Sequence, residues 1–261
     1  MCLPLRKKLQ SITNRCIPVA AILCLLILWQ VLCVLEVVPN YMLPSPVQVL
    51  RAFINDFSLL MHHSRITLAE AFLGLGGGIL LGFVIAVLMD QFELMYKACY
   101  PLIIITQTVP TVAIAPLLVL WLGYGILPKI VLIMIATFFP ITIGMLEGFR
   151  SVDLDAVNLL KAMGANRLQI FAQMKFKSSL GHFFSSLRIS VSYAVVGAVI
   201  SEWLGGFEGL GVYMTRVKKS YAFDKMFAVI FLISLISLFL MYVVDCLKRW
   251  AMPWEKENQK L

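Results

Sequence analysis

The chain has 261 residues, of which 61% are apolar and only 14% charged, whereas soluble domains carry roughly 25% charged residues. This composition excludes a water-soluble domain and favours helices in lipid, because each helix satisfies its own backbone hydrogen bonds. The formal net charge is +8, but Lys and Arg stand in short clusters between long apolar runs, which is typical of topology determinants and not of a nucleic-acid-binding face. We therefore predict an all-α membrane protein without a nucleic-acid partner.

Six apolar runs are long enough to cross a hydrocarbon core, which requires about 20 helical residues. The predicted transmembrane helices are roughly 17–38, 67–89, 101–120, 129–146, 183–203 and 226–244. The first run follows a basic segment, 1–16, but it is longer than a signal peptide's apolar region, and we expect a retained membrane anchor. The predicted transmembrane domain covers 17–248, between a cytoplasmic N-terminus, 1–16, and a cytoplasmic C-terminal tail, 249–261.

The distribution of Lys and Arg predicts the orientation of these helices. With the N-terminus in the cytoplasm, the cytoplasmic segments carry fourteen of these residues and the other side carries seven. Cytoplasmic loops are enriched in positive charge, so both termini of this multi-pass membrane protein are expected in the cytoplasm.

Small residues recur every fourth position in the second run, at Gly74, Gly78, Gly82 and Ala86. Such a ridge lets another helix backbone approach closely. We interpret it as packing within the chain, with a subunit interface as the alternative.

The third run contains polar residues and two prolines, Pro110 and Pro116. Bent, partly polar membrane helices face protein or a cavity, so a transport pathway and a kinked packing helix both remain open. The candidate pathway residues are Gln107, Thr111, Glu70 and Glu202. Glu202 has a second interpretation, in which its carboxylate reaches water or caps a turn.

The polar segment 150–182 lies between the fourth and fifth runs. It predicts two short helices broken at Gly164–Ala165, the first capped by Ser151 or Asp153 and the second by Asn166. An exposed helical hairpin with apolar side chains predicts a protein partner.

This segment resembles the cytoplasmic EAA loop of ABC-importer permeases. Aligned on Gly164, Asn158 to Leu160 occupy the signature positions, although the acidic residue is absent and Phe176–Lys177 replaces the family's Leu-Pro. The resemblance implies an ATPase-coupling site made of Asp155, Asn158, Leu159, Leu160, Gly164, Ala165, Arg167 and Phe171.

Further segments, in order along the chain, resemble the nitrate, sulfonate, taurine and thiamine-pyrimidine branch of that family. They are Leu43–Pro46, Val109–Leu117, Leu120–Gly125, Phe138–Ile141, and Ser201–Leu204 followed by Gly209–Gly211. The resemblance implies a type I ABC-importer permease fold of about six transmembrane helices in the bacterial inner membrane. It also implies a permease homodimer with two copies of an ABC ATPase subunit and an extracytoplasmic substrate-binding protein.

The run 201–206 is most similar to the thiamine-pyrimidine members, and carboxylates in the candidate pathway would repel an anion. A thiamine-pyrimidine-type heterocycle is therefore the expected substrate. An alkanesulfonate, taurine or nitrate is the alternative.

The sequence contains no Gly-x-x-x-x-Gly-Lys-Ser/Thr motif, so we expect no cofactor on this chain and ATP hydrolysis by the partner ATPase. The scattered cysteines and His62, His63 and His182 give neither a metal site nor a catalytic site, which argues against an enzyme. An ion-coupled secondary transporter remains the alternative class, although such carriers usually contain intramembrane charge pairs and internal repeats.

Overall fold

The structure is a computed structural model that describes residues 3–35, 39 and 42–254, with backbone alone for 3–16, 18 and 19. The end of the predicted span 17–38 and most of the predicted tail 249–261 lie outside the described residues. The described residues form helices and no strand, which confirms the all-α fold class. The helices are α1 Leu3–Val34, α2 Pro46–Asn55, α3 Phe57–Gln91, α4 Glu93–Thr108, α5 Thr111–Leu122, α6 Leu127–Arg150, α7 Leu154–Ala162, α8 Arg167–Ile170, α9 Phe176–Gly205, α10 Leu210–Lys219 and α11 Phe223–Ala251.

Four helical stretches in the described part of the chain are long and apolar enough to cross a membrane. They are α3, α6, the continuous stretch Arg167–Gly205, and α11. The bent pair α4 and α5 counts as a fifth if it forms one span. The first predicted span lies on α1, whose apolar part, Ala20–Val34, is a shorter helix.

The third predicted span, 101–120, is two helices and not one. The chain turns by 100° between Thr108 and Thr111. Pro110 has no N–H to donate, and the residue before it, Val109, is extended at φ −80° and ψ 121°. Pro116 lies inside α5 without ending it, so the expected bend is produced by Pro110 alone.

The structure divides into two compact units, 61–215 with 232–261 and 1–60 with 216–231. The larger unit has its core where α6 packs along α9, with apolar side chains from α3 and α11. Ile133 and Ile141 of α6 and Ala198 of α9 are completely buried there. These helices position the candidate site.

The glycine ridge of α3 packs against α6, as the intrachain interpretation predicts. A side chain at Gly74 would overlap Ile133, one at Gly78 would overlap Thr137, and one at Gly82 would press on Phe138 and Ile141. Gly76, on the opposite face of the same helix, has nothing within 4 Å. The ridge therefore serves close helix packing inside the chain.

The smaller unit contains the short amphipathic helix α2. Ser45 accepts a hydrogen bond from the N–H of Gln48, whose side chain bonds back to Ser45 N in a capping box. Val49 and Ala52 are buried against Ala228. The opposite apolar face is exposed at Val47, Leu50 and Ile54.

The second helix of the predicted hairpin 150–182 is not a separate short element. α8 continues through a π-helical turn, Phe171–Lys175, into α9, so the helix runs on to Gly205. Residues 170 and 171 are both in right-handed helical conformation, and no glycine or proline interrupts them. The first helix of the hairpin is therefore attached directly to a membrane-crossing helix.

Candidate functional site

A cavity of about 630 Å³ opens where α4 and α5 part, and α6 and α9 form its far wall. Gln107 and Thr111, two predicted pathway residues, lie in its lining on either side of the break. The hydroxyls of Thr106 and Thr108 donate to Ile103 O and Ile105 O at 2.7 and 2.8 Å, so they satisfy carbonyls near the end of α4. The break therefore opens the cavity and keeps its backbone hydrogen-bonded.

The rest of the cavity wall is mainly apolar and aromatic. Phe139 of α6 and Tyr193 of α9 contribute rings, and Glu147 of α6 is the one charged residue among the lining residues that the structure describes. None of these three residues was predicted from the sequence, although an acidic residue and aromatic rings within apolar runs are visible in it. A cavity with rings, an amide and a carboxylate suits a flat polar molecule that is neutral or cationic.

The other two predicted pathway residues, Glu70 and Glu202, are not in this lining. They are 3% and 1% exposed and lie in a buried polar network. Glu70 pairs with Lys129 Nζ at 2.5 Å. Lys129, the first residue of the predicted span 129–146 and one of the seven cations assigned to the outer side, lies buried in the first turn of α6.

Glu202 holds the segment that joins α9 to α10. One carboxylate oxygen accepts from the Thr67 hydroxyl at 2.7 Å and the other from the N–H of Gly211 at 2.5 Å. Gly209 has φ +124°, and a side chain there would overlap the Glu202 carboxylate. The N–H of Gly209 donates to His63 Nδ1 at 3.1 Å. The carboxylate thus caps a glycine turn, which is the second interpretation offered for Glu202 from the sequence.

The predicted ATPase-coupling residues lie on and around α7. Asp153 caps the helix by accepting from the N–H of Asp155 at 2.9 Å. At the other end Gly164 has φ +85°, its N–H donates to Lys161 O, and the N–H of Ala165 donates to Leu160 O. These two bonds form a Schellman motif, so glycine ends the helix as predicted.

The outward face of the hairpin exposes several large apolar side chains between polar ones. Leu159 is 63% exposed, and Leu154, Met163 and Leu168, which sequence analysis did not select, are at least 75% exposed. Asp155, Asn158, Gly164 and Arg167 are also exposed, Leu160 and Ala165 are half-buried, and Phe171 packs on Phe149 with ring centroids 5.2 Å apart. Most of the predicted set is therefore on one accessible surface, while Phe171 faces the bundle.

A second cavity, of about 430 Å³, lies behind α7 and is lined by Arg150, Lys161, Arg167, Lys175 and Asp90. Lys175 Nζ binds both oxygens of Asp90, at 2.7 and 2.8 Å. Sequence analysis missed Asp90. The signal was its place in the last turn of an apolar helix, where a negative charge is unfavourable unless it has a partner.

The chain matches a known protein family over most of its length. The family described as "Binding-protein-dependent transport system inner membrane component" matches residues 78–254, about two-thirds of the chain. The chain belongs to this family of permeases. It is thus the permease subunit of an ABC importer, an inner-membrane transport component, as its resemblance to the EAA-loop proteins implied.

Individual relatives support the same assignment for this permease. It is 36% identical over 242 residues to the formylaminopyrimidine transport permease protein ThiX of Halalkalibacterium halodurans, covering 92% of this chain and 96% of the relative. It is 29% identical to the riboflavin transport system permease protein RibX of Chloroflexus aurantiacus, covering 92% and 90%. It is 27% identical to the taurine transport system permease protein TauC of Escherichia coli, covering 90% and 88%.

Among solved structures, the inward-facing MetNI methionine ABC transporter matches with a TM-score of 0.66. The alignment covers 74% of this permease and 96% of that chain at 18% identity. This likeness confirms the type I permease fold and is used for the fold alone.

Proposed function

We propose that this permease forms the translocation pathway for a thiamine-pyrimidine-type heterocycle. The observation that carries the proposal is the 630 Å³ cavity, where Gln107 and Thr111 offer hydrogen bonds, Phe139 and Tyr193 offer rings, and Glu147 offers a negative charge. No Lys or Arg is among the described lining residues. The formylaminopyrimidine permease among the relatives supports the same substrate class.

The alternative substrates are alkanesulfonate, taurine and nitrate, because relatives carrying these names align along most of the chain at 25–28% identity. An inorganic or sulfonate anion in this cavity would meet a carboxylate without a lining cation, which raises its electrostatic energy. The heterocycle is therefore favoured.

We further propose that two copies of an ABC ATPase dock on the α7 surface of a permease homodimer, with an extracytoplasmic binding protein on the opposite side. The support is the exposure of large apolar side chains on the hairpin, at Leu154, Leu159 and Met163. Under this proposal the permease binds no cofactor, and its partner ATPase uses ATP. Both termini lie in the cytoplasm.

The four predicted pathway residues fall into two groups. Gln107 and Thr111 remain in the proposed pathway, because they line the cavity. Glu70 and Glu202 are assigned to holding helices together, because both are buried in ion-pair and capping contacts.

The test of the substrate uses the complex in proteoliposomes with ATP on the side of the ATPase and the partner binding protein outside. Formylaminopyrimidine should be taken up, and taurine and nitrate should not compete. Tyr193→Leu, in the cavity wall, should lower uptake at least about tenfold, a loss of ~1.4 kcal/mol. Tyr242→Leu, an exposed α11 residue outside the described lining, is the matched control. Uptake of taurine or nitrate in place of the pyrimidine would overturn the substrate assignment.

Orientation is tested by cysteine labelling in a cysteine-free background. Lys161→Cys, in α7, should react with an impermeant maleimide from the cytoplasmic side alone, and Lys218→Cys, in α10, from the outer side alone. Both side chains are exposed. Labelling of the two positions from the same side would contradict the proposed topology.

A further inference from the structure

The ion pair between Asp90 and Lys175 joins the segment that carries α7 to a membrane-crossing helix. Asp90 lies one residue before the end of α3, and Lys175 is the last residue of the π-helical turn. The side chain of Asp90 is 5% exposed and that of Lys175 is 27% exposed. A single ammonium group therefore neutralises a carboxylate that solvent barely reaches.

The position of this acid is costly for α3 itself. A negative charge in the last turn of a helix opposes the helix dipole, so Asp90 does not stabilise its own helix. The charge of Asp90 is stabilised instead by its ion pair with Lys175, which is 85 residues away in sequence. The contact thus joins two elements that are distant in sequence.

Further aromatic contacts surround the same junction. Phe171, in the π-helical turn, packs on Phe149 of α6, and Phe176 packs edge-on against Phe83 of α3 with centroids 6.3 Å apart. The ion pair and these rings fix the start of α9 to α3 and α6.

Helix α3 is also held by polar contacts nearer its N-terminus, at Thr67 and Glu70. Glu70 pairs with Lys129 of α6, and Thr67 donates to Glu202 of α9. Twenty residues separate Glu70 from Asp90, which is about 30 Å along a helix and equals the thickness of a hydrocarbon core. Helix α3 thus carries two charged contacts that are separated by about the thickness of a hydrocarbon core.

We propose that Asp90 and Lys175 are positioning residues for transport. Their ion pair transmits movement of α7 and α8 through α3 to the buried network around Glu70. The inference rests on the proposed function, because the ATPase must move α7. Rigid transfer along one helix suits this role, since packed helices shift as units between discrete arrangements.

The test measures the accessibility of a cysteine in α3, near the buried network, in the permease–ATPase complex in nanodiscs. Arg65, an exposed residue of α3 near the buried network, is replaced by Cys in a background in which the six natural cysteines are serine. The reaction rate of this cysteine with an impermeant maleimide is measured without nucleotide and after trapping with ATP and vanadate. The rate should change at least about threefold on trapping when Asp90 is present, as expected for a shift between two populated states.

Asp90→Asn should reduce that change to less than about 1.5-fold while the ATPase remains bound. This variant is chosen because Lys175, left without its partner, is partly exposed and can be hydrated. The exchange Asp90→Lys with Lys175→Asp should restore the change. Glu93→Gln is the matched control, because it removes a nearby acid whose pair with Lys97 is exposed on the surface.

Three results would overturn the inference. The first is an unchanged nucleotide response in Asp90→Asn, and the second is no response with Asp90 and Lys175 both in place. The third is an exchanged pair that folds and binds the ATPase but does not restore the response, which decides the matter even if Asp90→Asn fails to fold. Failure of the natural chain to hold an ATPase would instead contradict the proposed function itself.

Discussion

Thr67 and Glu202, 135 residues apart in sequence, share a buried hydrogen bond of 2.7 Å. The Thr67 hydroxyl also accepts from the N–H of Leu210 at 2.9 Å. One hydroxyl therefore connects α3, α9 and the start of α10, and each contact is made away from water.

Thr67→Val should destabilise the permease by about 2–4 kcal/mol, because it leaves a carboxylate oxygen and a backbone N–H buried without this partner. The measurement is thermal unfolding of the purified chain in one detergent. Thr215→Val is the control, because that hydroxyl donates to the Val212 carbonyl within its own helix. Equal unfolding temperatures for the two variants would contradict the proposed role of Thr67.

Glu202→Gln should lower stability by about 1–3 kcal/mol, because an amide offers one acceptor oxygen where the carboxylate uses two. The amide NH₂ would face either the Thr67 hydroxyl or the N–H of Gly211. Uptake per folded transporter should stay near that of the natural chain, since Glu202 is assigned to a cap. A normal unfolding temperature combined with lost uptake would support the pathway role predicted from sequence.

Gly78→Ala should destabilise the permease, because the added methyl group overlaps Thr137 where α3 and α6 meet. We expect a loss of about 1–3 kcal/mol, the usual cost of overpacking. Gly76→Ala is the matched control in the same helix, where nothing lies within 4 Å. It should be neutral or stabilising by up to about 1 kcal/mol. Equal effects of the two substitutions would exclude the ridge as a packing surface.

Gly164→Asp should leave the permease inserted and folded but unable to hold the ATPase. Its φ of +85° strains a side chain by about 1 kcal/mol, and a charge buried unpaired at the interface adds several kcal/mol against association. Gly164→Asn, which has the same shape without the charge and tolerates this conformation, should retain most of the ATPase. The measurement is the amount of ATPase that co-purifies with each of the two variants. If the Asp variant forms the complex in the same yield as the natural chain, the hairpin is not the docking element.

Much of the coupling segment could be predicted because its signals are local. Glycine at a left-handed helix end, Asp153 and Asn166 at helix starts, and exposed apolar residues between polar ones are all readable along the chain. The continuation of α8 into α9 was missed, because a π-helical turn requires no residue that marks it in sequence. Likewise, Pro110 predicts a bend, but its 100° angle depends on what packs around α4 and α5.

Composition, run length and motif order act over neighbouring residues, so the membrane class, the helical nature of the fold, the glycine ridge and the family could be predicted from the sequence. Only the tertiary structure decided the partners of the charged residues. Nothing local indicates that Glu70 meets Lys129 or that Asp90 meets Lys175, 59 and 85 residues away. Burying a charge is tolerable only beside its partner, and that partner is supplied by the packing of helices distant in sequence.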